Sequence, residues 1–333
     1  MRLIFMGTPE FAVAVLERLV GDGHQLVAVF TQPDKPSGRG NKLQAPPVKI
    51  TAKKLGIAVY QPARIKTNEE VRLAFESIRP DACIVAAYGK ILPAWLLLIP
   101  RLGCINVHSS LLPKYRGAAP INWAIANGET LTGVTIMQMD AGMDTGPILA
   151  SKAVDIGPDE TAVELSERLS SLGAGLLSET LVRVERGEIQ PVAQDDSQAS
   201  YAPMLQREDG LIDWSMPAKN ISDRVRGFQP WPGSYTMFRG GRLIIWRARP
   251  VSIDSSLALG AAKRGQGGAS AIEPGMISGF DKTGMVIWCG GNSLLRVDEV
   301  QVEGKRRVSA RDFANGARLG AGWSIMGDEG AQS

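Results

Sequence analysis

The sequence predicts an α/β fold: a doubly wound, mostly parallel Rossmann-like sheet followed by a smaller C-terminal OB-like β-barrel. Three observations carry this expectation. In the first half, short apolar runs alternate with amphipathic helical segments, and those runs are apolar throughout, as strands covered by helices on both faces must be. In the last third, short β-like runs are spaced by glycine-rich turns instead. A chain of 333 residues is also longer than one ordinary core, which favours two domains.

Taken in order, strands are expected at Leu3–Met6, Leu26–Thr31, Ala82–Ala86, Cys104–His108 and Val134–Met139. Helical patterns lie between them at Pro9–Val20, Pro47–Leu55, Asn68–Ile78 and Ala118–Asn127. Such a sheet keeps its ligand beyond the carboxyl ends of its strands. Between Thr31 and Pro47, proline and glycine forbid regular structure, and Lys35, Arg39 and Lys42 hold the segment in solvent. A connection this long is more often functional than decorative. Residues 159–187 read as one long helix, opened by Pro158-Asp159-Glu160 and stopped at Gly187. The polar stretch Gln194–Ser200 marks a linker. The expected division is therefore 1–190 for the first domain, with a basic inserted loop at 34–49, then a linker at 191–206 and a second domain at 207–325. Leu243–Trp246, Met285–Trp288 and Leu294–Val300 supply barrel strands, and Leu257 to Gly275, rich in Ala, Gly and Ser, reads as a surface loop.

Composition narrows the class. Hydrophobic content of 44% with 21% charged residues is that of a soluble globular protein. The apolar start at Met1–Met6 is broken by Gly7-Thr8-Pro9, too soon for a signal peptide. Trp95–Ile99 is far short of a membrane span. Cys83, Cys104 and Cys289 are odd in number and widely spaced, which argues for reduced thiols. A cytoplasmic, membrane-free monomer is expected. With only His24 and His108, and no cysteine cluster, no metal site is expected. The net charge of +3 is uneven: residues 206–333 carry 17 Lys+Arg against 13 Asp+Glu, leaving 20 against 21 for residues 1–205. The excess of +4 lies in the C-terminal part, where it suits either a solvated face or a polyanionic partner.

The most informative stretch is Cys104-Ile-Asn-Val-His-Ser-Ser-Leu-Leu-Pro113. Residues i and i+2 of a strand project from one face, so Asn106 and His108 point together. The same spacing also fits a structural histidine bonded to a neighbouring carbonyl. A second segment, Met139 to Pro147, packs Asp140, Asp144, two glycines and a proline into one turn after a strand. Glycines there let the backbone approach a ligand, and Asp144 could hold an imidazole in one tautomer. Capping of turn amides by the two carboxylates is the plainer alternative. At the first strand–helix turn, Gly7-Thr8-Pro9-Glu10-Phe11 lacks the dinucleotide fingerprint, and Glu10 would repel a pyrophosphate.

The runs Asn106-Val-His108-Ser-Ser-Leu-Leu-Pro-Lys-Tyr-Arg-Gly117 and Asp140-Ala-Gly-Met-Asp144-Thr-Gly-Pro147 resemble the signature of the 10-formyltetrahydrofolate-dependent formyltransferases. The likeness extends through Leu3–Phe11, Val85–Pro93, Phe228–Gly233 and Asp312–Gly316, nearly the full length. The resemblance implies that Asn106, His108 and Asp144 move the formyl group from the folate to an amine, without a metal. It further implies that Ser110, Leu111, Leu112, Pro113, Ile91, Leu92 and the Asp140–Asp144 turn flank the folate. The acceptor it implies is methionine esterified to initiator tRNA, with formylmethionyl-tRNA, the initiator of translation, as product. The alternative is a small amine such as glycinamide ribonucleotide or an amino sugar nucleotide, which predicts a shorter chain. Phosphate contacts are expected from Lys35, Arg39, Lys42 and Lys49 in the inserted loop and from Lys219, Arg224 and Arg226 in the second domain, with Arg39 the foremost.

Overall fold

The computed structural model describes residues 1–37, 42–252, 273–282 and 284–326. Its first sheet grows around β1 (Arg2–Gly7), whose residues after Arg2 are all buried. In chain order follow α1 (Phe11–Gly21), β2 (Gln25–Phe30), β3 (Lys35–Ser37), β4 (Lys42–Gln44), α2 (Pro47–Lys54), β5 (Val59–Tyr60), α3 (Glu69–Ile78), β6 (Ala82–Ala86), α4 (Ala94–Leu98) and β7 (Cys104–His108). Then come β8 (Arg116–Gly117), α5 (Pro120–Ala126), β9 (Leu131–Gln138), β10 (Ile148–Asp155), α6 (Ala162–Glu185) and β11 (Tyr201–Ala202). The strand order is β10-β9-β7-β6-β1-β2-β5. From β5 to β7 every pairing is parallel, as the apolar runs predict. The far edge differs: β9 runs antiparallel to β7, and β10 antiparallel to β9.

Two departures have local causes. β10 is an edge strand with Ser151 and Lys152 exposed, so it lacks the apolar run that marked the others. The connection after Thr31, expected to be irregular, contains the short hairpin of β3 and β4. A two-stranded ribbon with open edges tolerates Pro36, because proline's missing donor costs no ladder bond there. Arg39, between β3 and β4 in the sequence, lies outside the described residues, as does the Ala/Gly-rich stretch at 257–272.

Among the described residues, those within 1–121, 131–156 and 164–204 form one compact unit, and those within 122–130, 157–163 and 205–326 a second. In the first unit one sheet face packs Ile4, Met6, Phe30, Val85 and Cys104 against Phe75 of α3 and Leu96 of α4. Phe30 and Phe75 meet at 5.0 Å. On the opposite face α6 presses on β7 and β9. A Cβ on Gly173 would lie 2.8 Å from Val107 and 3.3 Å from Val134.

The second unit holds α7 (Ala218–Gly227), β12 (Ser234–Phe238), β13 (Gly241–Val251), β14 (Ile277–Phe280), β15 (Met285–Cys289), β16 (Ser293–Val302), β17 (Val308–Ser309) and α8 (Ala310–Ala317). Its antiparallel sheet runs β12-β13-β16-β15-β14, with β17 added to β16. Ile221 and Val225 of α7 and Phe313 of α8 close its core over Ile245, Leu295 and Val300. The expected barrel is not closed: no ladder joins β12 to β14 among the described residues. Both outer edges are instead covered by nearby chain. Ile212 donates to Tyr235 of β12 at 2.8 Å, and Ile277 of β14 exchanges bonds with Gly322 and Trp323 at 2.8 Å each. Such cover satisfies edge groups that a closed barrel would pair. Among the described residues no helix is long and apolar enough to cross a membrane.

Because Gly173 sits at van der Waals limits with two β-branched side chains, Gly173→Val is expected to destabilise the protein by about 1–3 kcal/mol. The urea unfolding midpoint checks this, and an unchanged midpoint would mean that α6 can lift from the sheet freely.

Candidate active site

β7 is an interior strand of its sheet, between β6 and β9. Its odd-numbered members Ile105 and Val107 are buried, Val107 beneath α6. The even-numbered Cys104, Asn106 and His108 therefore share the other face. Asn106 is 8% exposed and His108 5%. Since β9 runs against β7, the 139–147 turn starts beside Cys104, not beside His108: Met139 donates to the Cys104 carbonyl at 2.8 Å. The turn follows a strand, as the sequence suggests, and must then reach the pair over the face of the sheet.

Asp144 completes the group. Its Oδ1 accepts from Asn106 Nδ2 at 3.3 Å, its Oδ2 accepts the Gly117 N–H at 2.9 Å, and Oδ2 lies 3.6 Å from His108 Nδ1. The other ring nitrogen, Nε2, is 3.0 Å from the Tyr115 carbonyl. A carbonyl can only accept, so Nε2 carries a hydrogen and Nδ1 is the position left to exchange a proton. His108 is thus both the carbonyl-bonded histidine and a partner of Asp144. With the three groups largely removed from water, their mutual bonds are stronger than at the surface.

The backbone around Asp144 is constrained. Asp144 itself has φ 55, in the left-handed region, where Asp is among the few non-glycine residues tolerated. Gly117 has φ 121, and a Cβ there would lie 2.7 Å from the Ala202 carbonyl. Only glycine fits that position, and its N–H is a donor to the carboxylate. Gly146 brings the returning chain so close to the Gln138 carbonyl that a Cβ would overlap it.

The residues expected to flank a folate divide by burial. Ser110 is fully buried, donating to the Lys114 carbonyl at 2.6 Å, while its own carbonyl accepts from Thr135 Oγ1 at 2.7 Å. The same Thr135 hydroxyl accepts the Leu112 N–H at 3.1 Å. Leu112 and Leu92 are buried, Leu111 and Pro113 partly exposed, and Ile91 is 91% exposed. Asp140 spends its carboxylate on its own turn, accepting from Gly142 N and Thr145 Oγ1. The 88–92 loop is pinned from below: Gln32 donates to the carbonyls of Tyr88 and Gly89, and Lys90 to those of Pro62 and Ala63. Gln61 bridges Gln32 to Asp34, which also binds Lys49 at 2.7 Å. The Gln61 bond, then Lys49, hold the Asp34 carboxyl below its ordinary range.

The basic residues also divide. Lys35 is exposed, but Lys49 is committed to Asp34 and only 17% exposed. Of Lys42 only the backbone, in β4, is described. In the second unit Arg226 is buried against Asp223 and the carbonyls of Gly157 and Glu160. Arg224 lies over Phe228 at 5.5 Å. Lys219, 64% exposed, pairs with Asp223. Sequence reasoning passed over the exposed run Lys305-Arg306-Arg307, where the Arg307 guanidinium stacks 3.4 Å above Trp246. It also passed over Thr135, Arg116 and Gln194. Thr135, a hydroxyl inside an apolar strand, was the one with a local signal. Among the described residues no cluster of His, Cys, Asp and Glu is arranged to hold a metal ion.

Comparison with known proteins bears on this geometry. A family profile described as formyl transferase matches residues 1–181, and one described as formyl transferase, C-terminal domain, matches residues 204–318. The methionyl-tRNA formyltransferase of Geobacter metallireducens is 49% identical over 96% of this chain and 97% of its own. That of Solibacter usitatus is 49% identical over 96% of both chains. Among solved structures, an N-formyltransferase from Helicobacter canadensis, in complex with folinic acid and dTDP-3-aminofucose, matches with a TM-score of 0.62 at 18% identity, covering 89% of this chain and 98% of that one. HypX from Aquifex aeolicus with tetrahydrofolic acid matches with a TM-score of 0.58 at 14% identity, covering 94% of this chain and 47% of that one. At such identities the structural likeness shows the fold alone.

Two outcomes follow from this geometry. Gly117→Ala, which forces a Cβ against the Ala202 carbonyl and shifts a donor to Asp144, is expected to lower stability by about 1–3 kcal/mol. Calorimetry measures this, and an unchanged transition would contradict the strained backbone described above. Because the folded Asp34 carboxyl is held low, its stabilisation is present above the ordinary carboxylate pKa and is lost as pH falls through the lowered value. Gln61→Leu is expected to raise the Asp34 titration midpoint, followed by carboxyl-carbon NMR; an unmoved midpoint would rule out the Gln61 bond as the leading cause.

Proposed function

The chain belongs to the formyl transferase family, and from that premise we propose that it transfers the formyl group of 10-formyltetrahydrofolate to the α-amino group of methionine on initiator tRNA, yielding formylmethionyl-tRNA. The observation that carries the chemistry is the meeting of Asn106, His108 and Asp144 around one carboxylate. Near-full-length identity of 49% to methionyl-tRNA formyltransferases supports the acceptor.

Each residue has a role that its bonds suggest. Asn106 carries two amide hydrogens and gives one to Asp144, which leaves the other for the formyl oxygen as that atom gains charge. One such donor is worth roughly 3 kcal/mol in a transition state. His108 keeps Nε2–H on Tyr115, so Nδ1 and the facing Asp144 Oδ2 form the acceptor pair for the proton that the attacking amine loses. Asp144 orients both neighbours.

The folate supplies the one-carbon unit when bound. For its flat ring the chain offers Ile91 and Met143, 91% and 61% exposed, with the partly exposed Leu111 and Pro113. Leu92 and Leu112 are buried, and the Asp140–Asp144 turn is assigned a contribution through its backbone. Ser110 serves by fixing the loop.

For the tRNA, exposed Lys35 together with Arg39 and Lys42 of the same inserted loop, and Lys219, Lys305, Arg306 and Arg307 in the second unit, are the cations we assign to phosphate contact. Lys49, Arg224 and Arg226 act through the structure they brace. We place the enzyme in the cytoplasm as a monomer, with residues 1–190 catalytic, 191–206 joining and 207–325 binding tRNA. Three buried free thiols, Cys83, Cys104 and Cys289, suit a reducing compartment.

The deciding assay incubates the protein with 10-formyltetrahydrofolate and charged tRNAs. Formyl-methionine is expected from initiator Met-tRNA, and formylation of a small amine alone would overturn the proposal. Asn106→Ala is expected to lower kcat by about 100- to 1,000-fold with KM for Met-tRNA little changed, a split that steady-state kinetics resolves. Arg39→Ala is expected to weaken Met-tRNA binding and flatten its salt dependence; an unchanged salt slope would remove the inserted loop from the tRNA contacts.

A further inference from the structure

Arg116 and Gln194 stand outside the reacting group, yet their side chains end on its backbone. Gln194 Nε2 donates to the Asp144 carbonyl at 2.8 Å and to the Gly146 carbonyl at 2.7 Å. Gln194 Oε1 accepts from Arg116 Nε at 3.1 Å and from Nη2 at 2.8 Å. Arg116 is 2% exposed, and Nη2 also meets the exposed carboxylate of Asp196 at 2.7 Å. The amide orientation is therefore fixed by chemistry. A flipped amide would set its oxygen against two carbonyls and its nitrogen against a guanidinium, neither of which can bond.

The neighbouring backbone completes the device. Arg116 and Gly117 form β8, paired in parallel with Tyr201 and Ala202 of β11. The Gly117 N–H is the 2.9 Å donor to Asp144 Oδ2. One two-residue strand thus grips Asp144 twice: the Gly117 N–H takes the carboxylate, and the Arg116 side chain, through Gln194, takes the main chain. Between those grips Asp144 holds φ 55, a conformation that persists only where its surroundings over-determine it.

We infer that Arg116 and Gln194 are positioning residues for formyl transfer: together they brace the Asp144–Gly146 backbone so that the Asp144 carboxylate stays on Asn106 and His108. Neither side chain needs to touch either substrate. The inference rests on the proposed function, and its test separates the two.

The test uses the full-length protein as wild type, Gln194→Ala, Gln194→Glu, Asp144→Asn and the double variants. Gln194→Glu keeps the side chain's volume but cannot donate to two carbonyls, so it answers for the brace if Gln194→Ala folds poorly. The first readout is hydrogen exchange of the 139–147 amides, which needs no activity; faster exchange is expected in both Gln194 variants. The second is a double-mutant cycle on kcat. Loss of Gln194 is expected to lower kcat by about 10- to 100-fold in the wild-type background, with KM for Met-tRNA within about twofold. In the Asp144→Asn background the same change is expected to cost less than about threefold, because the braced group is already disabled. Equal losses in the two backgrounds, or unchanged exchange of the turn, would overturn the brace. If the wild type makes no formylmethionyl-tRNA, the functional proposal falls, and the exchange readout alone decides whether Gln194 holds the turn.

Discussion

A carboxylate withdrawn from water demands donors, and around Asp144 that demand organises the first unit. Its two oxygens take an amide hydrogen from β7 and a backbone hydrogen from β8, and one of them faces an imidazole nitrogen at 3.6 Å. Asn106 and His108 come from β7, Gly117 from the loop after it and the carboxylate from the crossing turn, so they can meet only if the sheet, that loop and the turn are all in register. The interior position of β7 supplies the rigid part of that arrangement. Helix α6 fixes one face of the strand, and the opposite face is left to present two polar side chains among apolar ones.

The same demand explains where the fold accepts unusual backbone. A carboxylate brought over a sheet face by a turn needs unusual backbone in that turn, which Asp144 supplies with its positive φ, while Gly117 in β8 carries a second positive φ where its N–H meets the carboxylate. Buried hydroxyls do the remaining work. Thr135 alone settles both the Ser110 carbonyl and the Leu112 N–H, so the loop after β7 has no unsatisfied group at those positions. Rigidity here serves geometry: a donor displaced by a fraction of an ångström no longer addresses the atom that gains charge.

Much of this was legible in sequence because it is periodic. Apolar runs located β1, β2, β6, β7 and β9, and the i, i+2 rule placed Asn106 and His108 on one face. What escaped is long-range or directional. An apolar run looks the same whether its strand runs parallel or antiparallel, so the reversal of β9 left no local trace, and with it the path of the 139–147 turn. Gln194 and Arg116 are separated by 78 positions, and Gln194 lies in a polar segment whose composition matches any linker. Charge was legible but exposure was not. Lys49 and Arg226 resemble Lys35 in sequence, yet each is spent on an internal carboxylate. The barrel expected for the second unit failed for a related reason: coverage of an edge by non-strand chain has no periodic signature.

That edge coverage has a bearing on biosynthesis. Ile277 of β14 is bonded by Trp323, 46 positions downstream (323 − 277). A ribosome adding about 5–20 residues per second needs on the order of 2–9 s to make that stretch. Once β15 and β16 have followed, and until Trp323 does, the nascent sheet carries a bare outer strand, the kind of surface that recruits other chains. Faster elongation through this stretch shortens the exposure, whereas a pause within it prolongs the time in which neighbouring nascent chains can pair with β14.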